Sequence, residues 1–163
     1  MADPIDGTTL GGAHPPHRRR VLMFEDDPDD VRIAELANQR RHEPWDLAVA
    51  FDATEALANL RTREHPPELL PELILVDLSM PVMDGVQVLR ELATRSALAS
   101  VPRIVLTTSH AATDIQACYA AGCHSFIAKP MRIAELSEIF DVLHRYWFEV
   151  VLAGSAGRRP APG

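Results

Sequence analysis

Four apolar stretches of this 163-residue chain each run into residues that can do chemistry. Val21–Phe24 ends in Glu25, Asp26 and Asp27. The stretch beginning at Leu73 reaches Asp77. Pro102–Leu106 ends in Thr107 and Thr108. The last, His124–Ala128, stops just before Lys129 and Pro130. Close carboxylates repel one another and raise each other's pKa unless a cation neutralises them. An all-oxygen, highly charged ligand set suits a hard ion such as Mg²⁺, which keeps several of its waters. An ammonium and a hydroxyl facing that metal form a socket for a dianionic group with at least three oxygens, and a phosphoryl group fits it. The covalent acceptor such a socket calls for is a carboxylate, because an aspartyl phosphate forms and breaks readily.

Each of these residues has a plainer reading alone. Acids in the first turn of a helix commonly serve the cap and the macrodipole, and Asp27, Asp29 and Asp30 are read that way. Asp77 alone could be a loop acid, Lys129 a surface cation, and Thr107 a strand-end hydroxyl on backbone. Their joint occurrence at four strand ends makes the joint coincidence a poor account. Composition adds one clue. The chain has 15 arginines and a single lysine, Lys129.

Charged groups converge only if the elements carrying them lie side by side. Apolar runs alternate with helical patterns along the chain. Strands are expected at Arg20–Phe24, Trp45–Phe51, Leu73–Leu78, Pro102–Thr107 and His124–Ala128. Helices are expected from Pro28 to about Arg41, Ala53 to Arg63, Gly85 to about Thr94, Ala112 to Ala121, and Arg132 to about Leu152. Asp27 and Asp52 are placed to cap the first two, with Pro28 in the first turn. Five strands alternating with five helices predict an α/β, flavodoxin-like doubly wound fold. Its parallel sheet has strand order 2-1-3-4-5 and helices on both faces. Such folds carry their site beyond the carboxyl ends of the strands.

The rest of the chain bounds the function. Residues 1–19 are expected to be a disordered leader, 20–152 the folded domain, and 153–163 a flexible tail. The net charge is −7. The body, 20–152, holds 21 acids and 12 bases, which argues against direct nucleic-acid binding. No apolar run approaches a membrane span and no signal peptide is evident, so a cytoplasmic protein is expected. Cys118 and Cys123 read as two ordinary reduced thiols. The seven histidines form no metal-ligand pattern, although His110 lies near the active rim.

These residues resemble the receiver domain of two-component response regulators. The matching stretches are Val-Leu-Met-Phe-Glu-Asp-Asp-Pro (21–28), Leu-Ile-Leu-Val-Asp-Leu-Ser-Met-Pro-Val-Met-Asp-Gly (73–85), Pro-Arg-Ile-Val-Leu-Thr-Thr-Ser (102–109) and Phe-Ile-Ala-Lys-Pro (126–130). The resemblance implies that Asp77 is the phospho-acceptor and that Asp26 is a direct Mg²⁺ ligand. Glu25 would hold a metal-bound water, and the Ser79 backbone carbonyl would be a further ligand. Lys129 would pair with phosphoryl oxygens, ahead of a cis Lys129–Pro130 bond. Thr107 would swing toward the phosphoryl group and Phe126 would follow as the aromatic switch. Ser79 and Ser109 depart from bulkier residues common in the family, at positions that influence attack by water. Thr-Thr-Ser-His (107–110), Tyr-Trp-Phe-Glu-Val-Val (146–151) and the long loop before the third strand resemble the small response regulators of cyanobacterial and bacterial phytochromes.

The expected function is therefore a stand-alone response regulator. It takes a phosphoryl group on Asp77 from a histidine kinase, of the phytochrome type, docked around the first helix. No output domain is expected beyond residue 152. The last helix carries Ile133, Leu136, Phe140, Leu143, Trp147 and Val150 at spacings of three and four, widened by Ile139, Tyr146, Phe148 and Val151. That is more apolar surface than one sheet face needs. A homodimer is expected through Phe140, Leu143, Tyr146, Trp147 and Val150, helped by the fourth helix and fifth strand. The competing reading folds this segment back on its own body. Other functions weighed are a phosphate shuttle or sink for a kinase that is not a photoreceptor, and a receiver-like interaction module without phosphorylation. A haloacid-dehalogenase-type phosphohydrolase is disfavoured because Ser79 stands where its acid would be.

Overall fold

A computed structural model describes residues 18–60 and 69–151. The expected leader (but for residues 18 and 19), the tail 153–163 and residues 61–63 of the second expected helix lie outside the described residues. The strands are β1 (Arg20–Phe24), β2 (Asp46–Ala50), β3 (Leu73–Val76), β4 (Arg103–Thr107) and β5 (Ser125–Ala128). The helices are α1 (Pro28–Gln39), α2 (Ala53–Asn59), α3 (Gly85–Ala93), α4 (Ala112–Ala120) and α5 (Ile133–His144). The five strands form one parallel sheet in the order β2-β1-β3-β4-β5, as the alternation predicts.

Strand alternation sends neighbouring side chains to opposite faces, which builds two cores. Phe24, Ile74, Val76 and Val105 pack with Val88, Leu89 and Leu92 of α3, Leu57 of α2 and Cys118 of α4. Val21, Met23, Leu73, Leu75, Ile104 and Leu106 pack with Ala34 and Ala37 of α1 and Phe140 and Leu143 of α5. With both faces covered, β3 and β4 are buried along their whole length.

Local chemistry starts and stops the helices. Asp27 caps α1 by accepting from the Asp29 amide at 2.8 Å, ahead of Pro28. Asp52 caps α2 by accepting from the Glu55 amide at 3.0 Å. Asp84 and Gln87 form a reciprocal capping box on α3. Gly122, at φ 92°, ends α4 in a Schellman arrangement. In it the Cys123 amide donates to the Cys118 carbonyl at 3.0 Å and the Gly122 amide to the Tyr119 carbonyl at 3.1 Å. That arrangement accounts for the five-residue spacing of the two cysteines: both are free, buried and in one core. Burial, then nearby negative charge, pushes the Cys118 thiol up to about 11.

The last helix departs from expectation. Instead of one α-helix to Leu152, α5 ends at His144 and a wider π-helical turn spans Arg145–Val150. The wider turn changes which residues face the body. Phe148 is buried, while Val150 is 61% exposed. Phe140 and Leu143, expected at a dimer interface, are instead core residues at 0% and 5% exposure. Trp147 is half-buried, its ring set edge-on to His124 at 5.7 Å. Part of the segment therefore does fold back on its own domain. Among the described residues, no helix is long and apolar enough to cross a membrane.

Candidate functional site at the carboxyl ends of the strands

Register brings the site together. Phe24 pairs with Val76, so the next residues, Glu25 and Asp77, leave adjacent strands side by side. The Asp77 amide donates to the Phe24 carbonyl at 3.0 Å, extending the ladder by one step. Thr107 pairs with Ala128, and the Lys129 amide donates to the Thr107 carbonyl at 2.8 Å. Gly85 is required by the same crowding: a Cβ there would lie 2.3 Å from the Asp77 carbonyl oxygen.

Glu25, Asp26 and Asp77 each offer a carboxylate oxygen, all within 4.8 Å of one another. Glu25 and Asp77 are buried and Asp26 is half-buried. Lys129 reaches in from the end of β5. Its Nζ donates to Glu25 Oε2 at 2.6 Å and lies 3.3 Å from Asp77 Oδ1. It also donates to Asp30 Oδ2 at 2.6 Å. Backbone amides hold the acids: Asp27 donates to Glu25 Oε1 at 3.1 Å, and Ser79 to Asp77 Oδ2 at 3.1 Å.

Burial pushes the Glu25 carboxyl above its usual range, although the hydrogen bond from Lys129 opposes this. Burial alone would lower Lys129. Its hydrogen bonds to Asp30 and Glu25 and the charge of Asp77 outweigh burial and hold it above the ordinary lysine value. The ammonium is therefore charged at neutral pH. Three hard carboxylates clustered this closely carry a charge excess that a divalent cation would neutralise, so the donor set fits a metal such as Mg²⁺.

Thr107 is fully buried, its Oγ1 accepting from the Ser109 amide at 3.3 Å. Ser109 Oγ donates to Asp114 at 2.5 Å, which engages that small residue with the start of α4. Phe126 is partly buried against the core under α3 and α4. Asp52 is committed to its cap. Among the described residues every peptide bond is trans, Lys129–Pro130 included, contrary to the expected cis bond. A prolyl bond favours trans by only ~0.5–1 kcal/mol, so its surroundings decide. Sequence reasoning misses one partner of Lys129: Asp30 lies in the first turn of α1, as its helix-dipole reading expects, and it also pairs with Lys129. The available signal was its position four residues after Asp26, one helical turn along α1 from the same strand end.

Residues 21–141 match the response regulator receiver domain, and the chain belongs to that family. It is 29% identical over 137 residues to Response regulator Rcp1 of Synechocystis sp., covering 83% of this chain and 93% of that protein. The Mn²⁺-bound structure of Rcp1 superposes with a TM-score of 0.67 at 28% identity, covering 83% of this chain and 99% of that one. The phosphorylated cyanobacterial phytochrome response regulator RcpA superposes at 0.72 with 28% identity, covering 85% and 99%. RPA3017, a response regulator in red light signaling of R. palustris, superposes at 0.75 with 27% identity, again covering 85% and 99%.

Proposed function

We propose that this receiver domain accepts a phosphoryl group on Asp77 from a sensor histidine kinase of the phytochrome type. The observation that carries the proposal is the placing of Asp77: buried at the end of β3, in one acidic cluster with Glu25 and Asp26, with Lys129 Nζ 3.3 Å away. Similarity to Rcp1, RcpA and RPA3017 supports the choice of kinase.

In the proposed reaction, an Asp77 carboxylate oxygen attacks the phosphorus of a phosphohistidine. The P–N bond breaks, the electron pair leaves with the imidazole, and an acyl phosphate forms. Lys129 pairs with a phosphoryl oxygen. Glu25, Asp26, Asp77 and the Ser79 carbonyl would hold Mg²⁺, which when bound neutralises charge on the acids and on the phosphoryl oxygens. Thr107 and Phe126 then relay the change to the face around β4 and β5. The protein works in the cytoplasm, without contacting nucleic acid or membrane itself. It associates as a homodimer through the outward stripe Val142, Tyr146 and Val150, which are 67%, 51% and 61% exposed at four-residue spacing.

The test is phosphate incorporation from a phosphorylated kinase, or from acetyl phosphate, with and without Mg²⁺. Incorporation is expected to need the metal and to vanish in Asp77→Asn while the circular dichroism spectrum is unchanged. Labelling retained in that variant would move the acceptor elsewhere.

A further inference from the structure

Lys129 is surrounded by more acid than its expected role requires. Glu25, Asp30 and Asp77 all lie within ion-pair distance of its Nζ, and Asp26 completes the cluster. Four carboxylates against one ammonium leave a net of −3 before any phosphoryl group arrives. The ammonium is not centred among them. It lies 2.6 Å from Glu25 and from Asp30, but 3.3 Å from Asp77. The lysine thus sits closer to Glu25, at the end of β1, and to Asp30, in the first turn of α1, than to the acceptor.

The two close partners differ in what it costs to release them. Glu25 has a side chain 1% exposed and also accepts from the Asp27 amide, so it has nowhere else to go. Asp30 has a side chain 35% exposed and can return to water. It is not needed as a cap either, because Asp27 already serves the Asp29 amide. Releasing Asp30 to water therefore costs less than releasing the buried Glu25.

We infer that Asp30 is a positioning residue acting through Lys129: its carboxylate holds the ammonium off Asp77 in the resting chain and is exchanged for a phosphoryl oxygen when Asp77 carries one. This rests on the proposed phospho-acceptor role of Asp77. Two effects act in the same direction. Asp30 competes for the donors of Lys129, and its charge repels an incoming dianion.

The single lysine makes the test clean, because lysine labelled with ¹³C and ¹⁵N reports one side chain in the whole chain. The variants are Asp30→Asn and Asp30→Glu, compared with the native chain in titrations with Mg²⁺ alone and then with beryllofluoride. In the native chain, beryllofluoride is expected to shift the Lys129 side-chain resonances. In Asp30→Asn the metal-loaded resonances are expected to start displaced toward that end point. Half-saturation by beryllofluoride is expected at a concentration roughly two- to fivefold lower, and Asp30→Glu to restore native behaviour. Unmoved lysine resonances, or unchanged or weaker beryllofluoride binding, overturn the inference. A role confined to the helix end would lower the melting temperature of Asp30→Asn and leave both readouts alone, which also overturns it. If the native chain itself fails to bind beryllofluoride, the acceptor reading fails and the exchange with it. The lysine resonances of the metal-free variant still show separately whether Asp30 holds Lys129.

Discussion

Lys129 keeps its charge where burial alone would weaken it, because Glu25, Asp30 and Asp77 face it. Its folded pKa is raised, so its contribution to stability is complete below the ordinary lysine value and is lost only in strong alkali. Charge by itself is therefore not what selects lysine in a chain that otherwise uses arginine throughout. A compact ammonium on a flexible stem can exchange partners within a crowded pocket, whereas a planar guanidinium needs its fork matched. Lys129→Arg is expected to remain folded but to lose most of the backbone chemical-shift change at Thr107 and Phe126 on adding beryllofluoride. Native-sized changes at both residues would refute the argument. The acids and the lysine of this site were legible from sequence because each ends a recognisable strand. The pairing of Lys129 with Asp30 was not, because it depends on how α1 docks beside the sheet.

Elements position these residues through short loops, and one such loop is strained. Val82, between β3 and α3, sits at φ 68° and is 98% exposed. A β-branched residue is disfavoured in that left-handed region, by roughly 1–2 kcal/mol, and here it gains no burial in return. Allowing for the extra chain entropy of glycine, Val82→Gly is expected to raise stability by about 0.5–1 kcal/mol, measured by urea denaturation. On the other face, α1, its following loop and α5 are tied by polar contacts within the apolar layer. The Asn38 side chain exchanges two hydrogen bonds with the Trp45 backbone, at 2.9 and 3.0 Å. The Arg41 Nε donates to Asp141 at 2.7 Å. Trp45 Nε1 donates to His144 Nδ1 at 3.0 Å, which requires that nitrogen to be unprotonated. Burial and the Arg41 charge lower the His144 pKa below its ordinary 6.5, against the pull of Glu43 and Glu149. A depressed folded pKa means stability present above about pH 6.5 and lost as pH falls through the lowered value. Acidification from pH 7 to 5 is expected to cost the native chain up to about 1 kcal/mol more than His144→Gln. Parallel denaturant titrations at the two pH values measure this, and equal losses would show that the bond to His144 carries no stability.

At the scale of the whole molecule, the turn after α5 divides its apolar residues, burying Phe148 and leaving Tyr146 and Val150 outside. Deleting residues from Tyr146 onward would uncover the core, because Phe148 is buried among the α1 and α5 side chains. Substituting the exposed stripe is the cleaner test. Val142→Ser, Tyr146→Ser and Val150→Ser together are expected to halve the mass measured by light scattering and leave the monomer folded. A native chain at monomer mass would refute the proposed dimer, and a dimer mass kept in the triple variant would put the interface on another face. Repeating the measurement with Mg²⁺ and beryllofluoride distinguishes a constitutive dimer from association as the output.

Strand alternation, caps and strand-end residues were decided by local sequence. A buried parallel strand must be apolar throughout, a helix start needs an acceptor such as Asp27 or Asp52, and a charged cluster must come from elements the sheet places side by side. The sheet order, the four caps and termini at Asp27, Asp52, Asp84 and Gly122, and the grouping of Glu25, Asp26, Asp77 and Lys129 follow from that. Only the tertiary structure decided the rest. Whether Phe140 and Leu143 face a partner or the sheet, whether the last turn widens to bury Phe148 in place of Val150, and whether Asp30 in the first turn of α1 also reaches Lys129 are questions of how two elements dock. Periodicity fixes which residues share a helix face. It does not fix what that face meets, because the docking angle and the space left by neighbouring side chains arise only when the elements pack together.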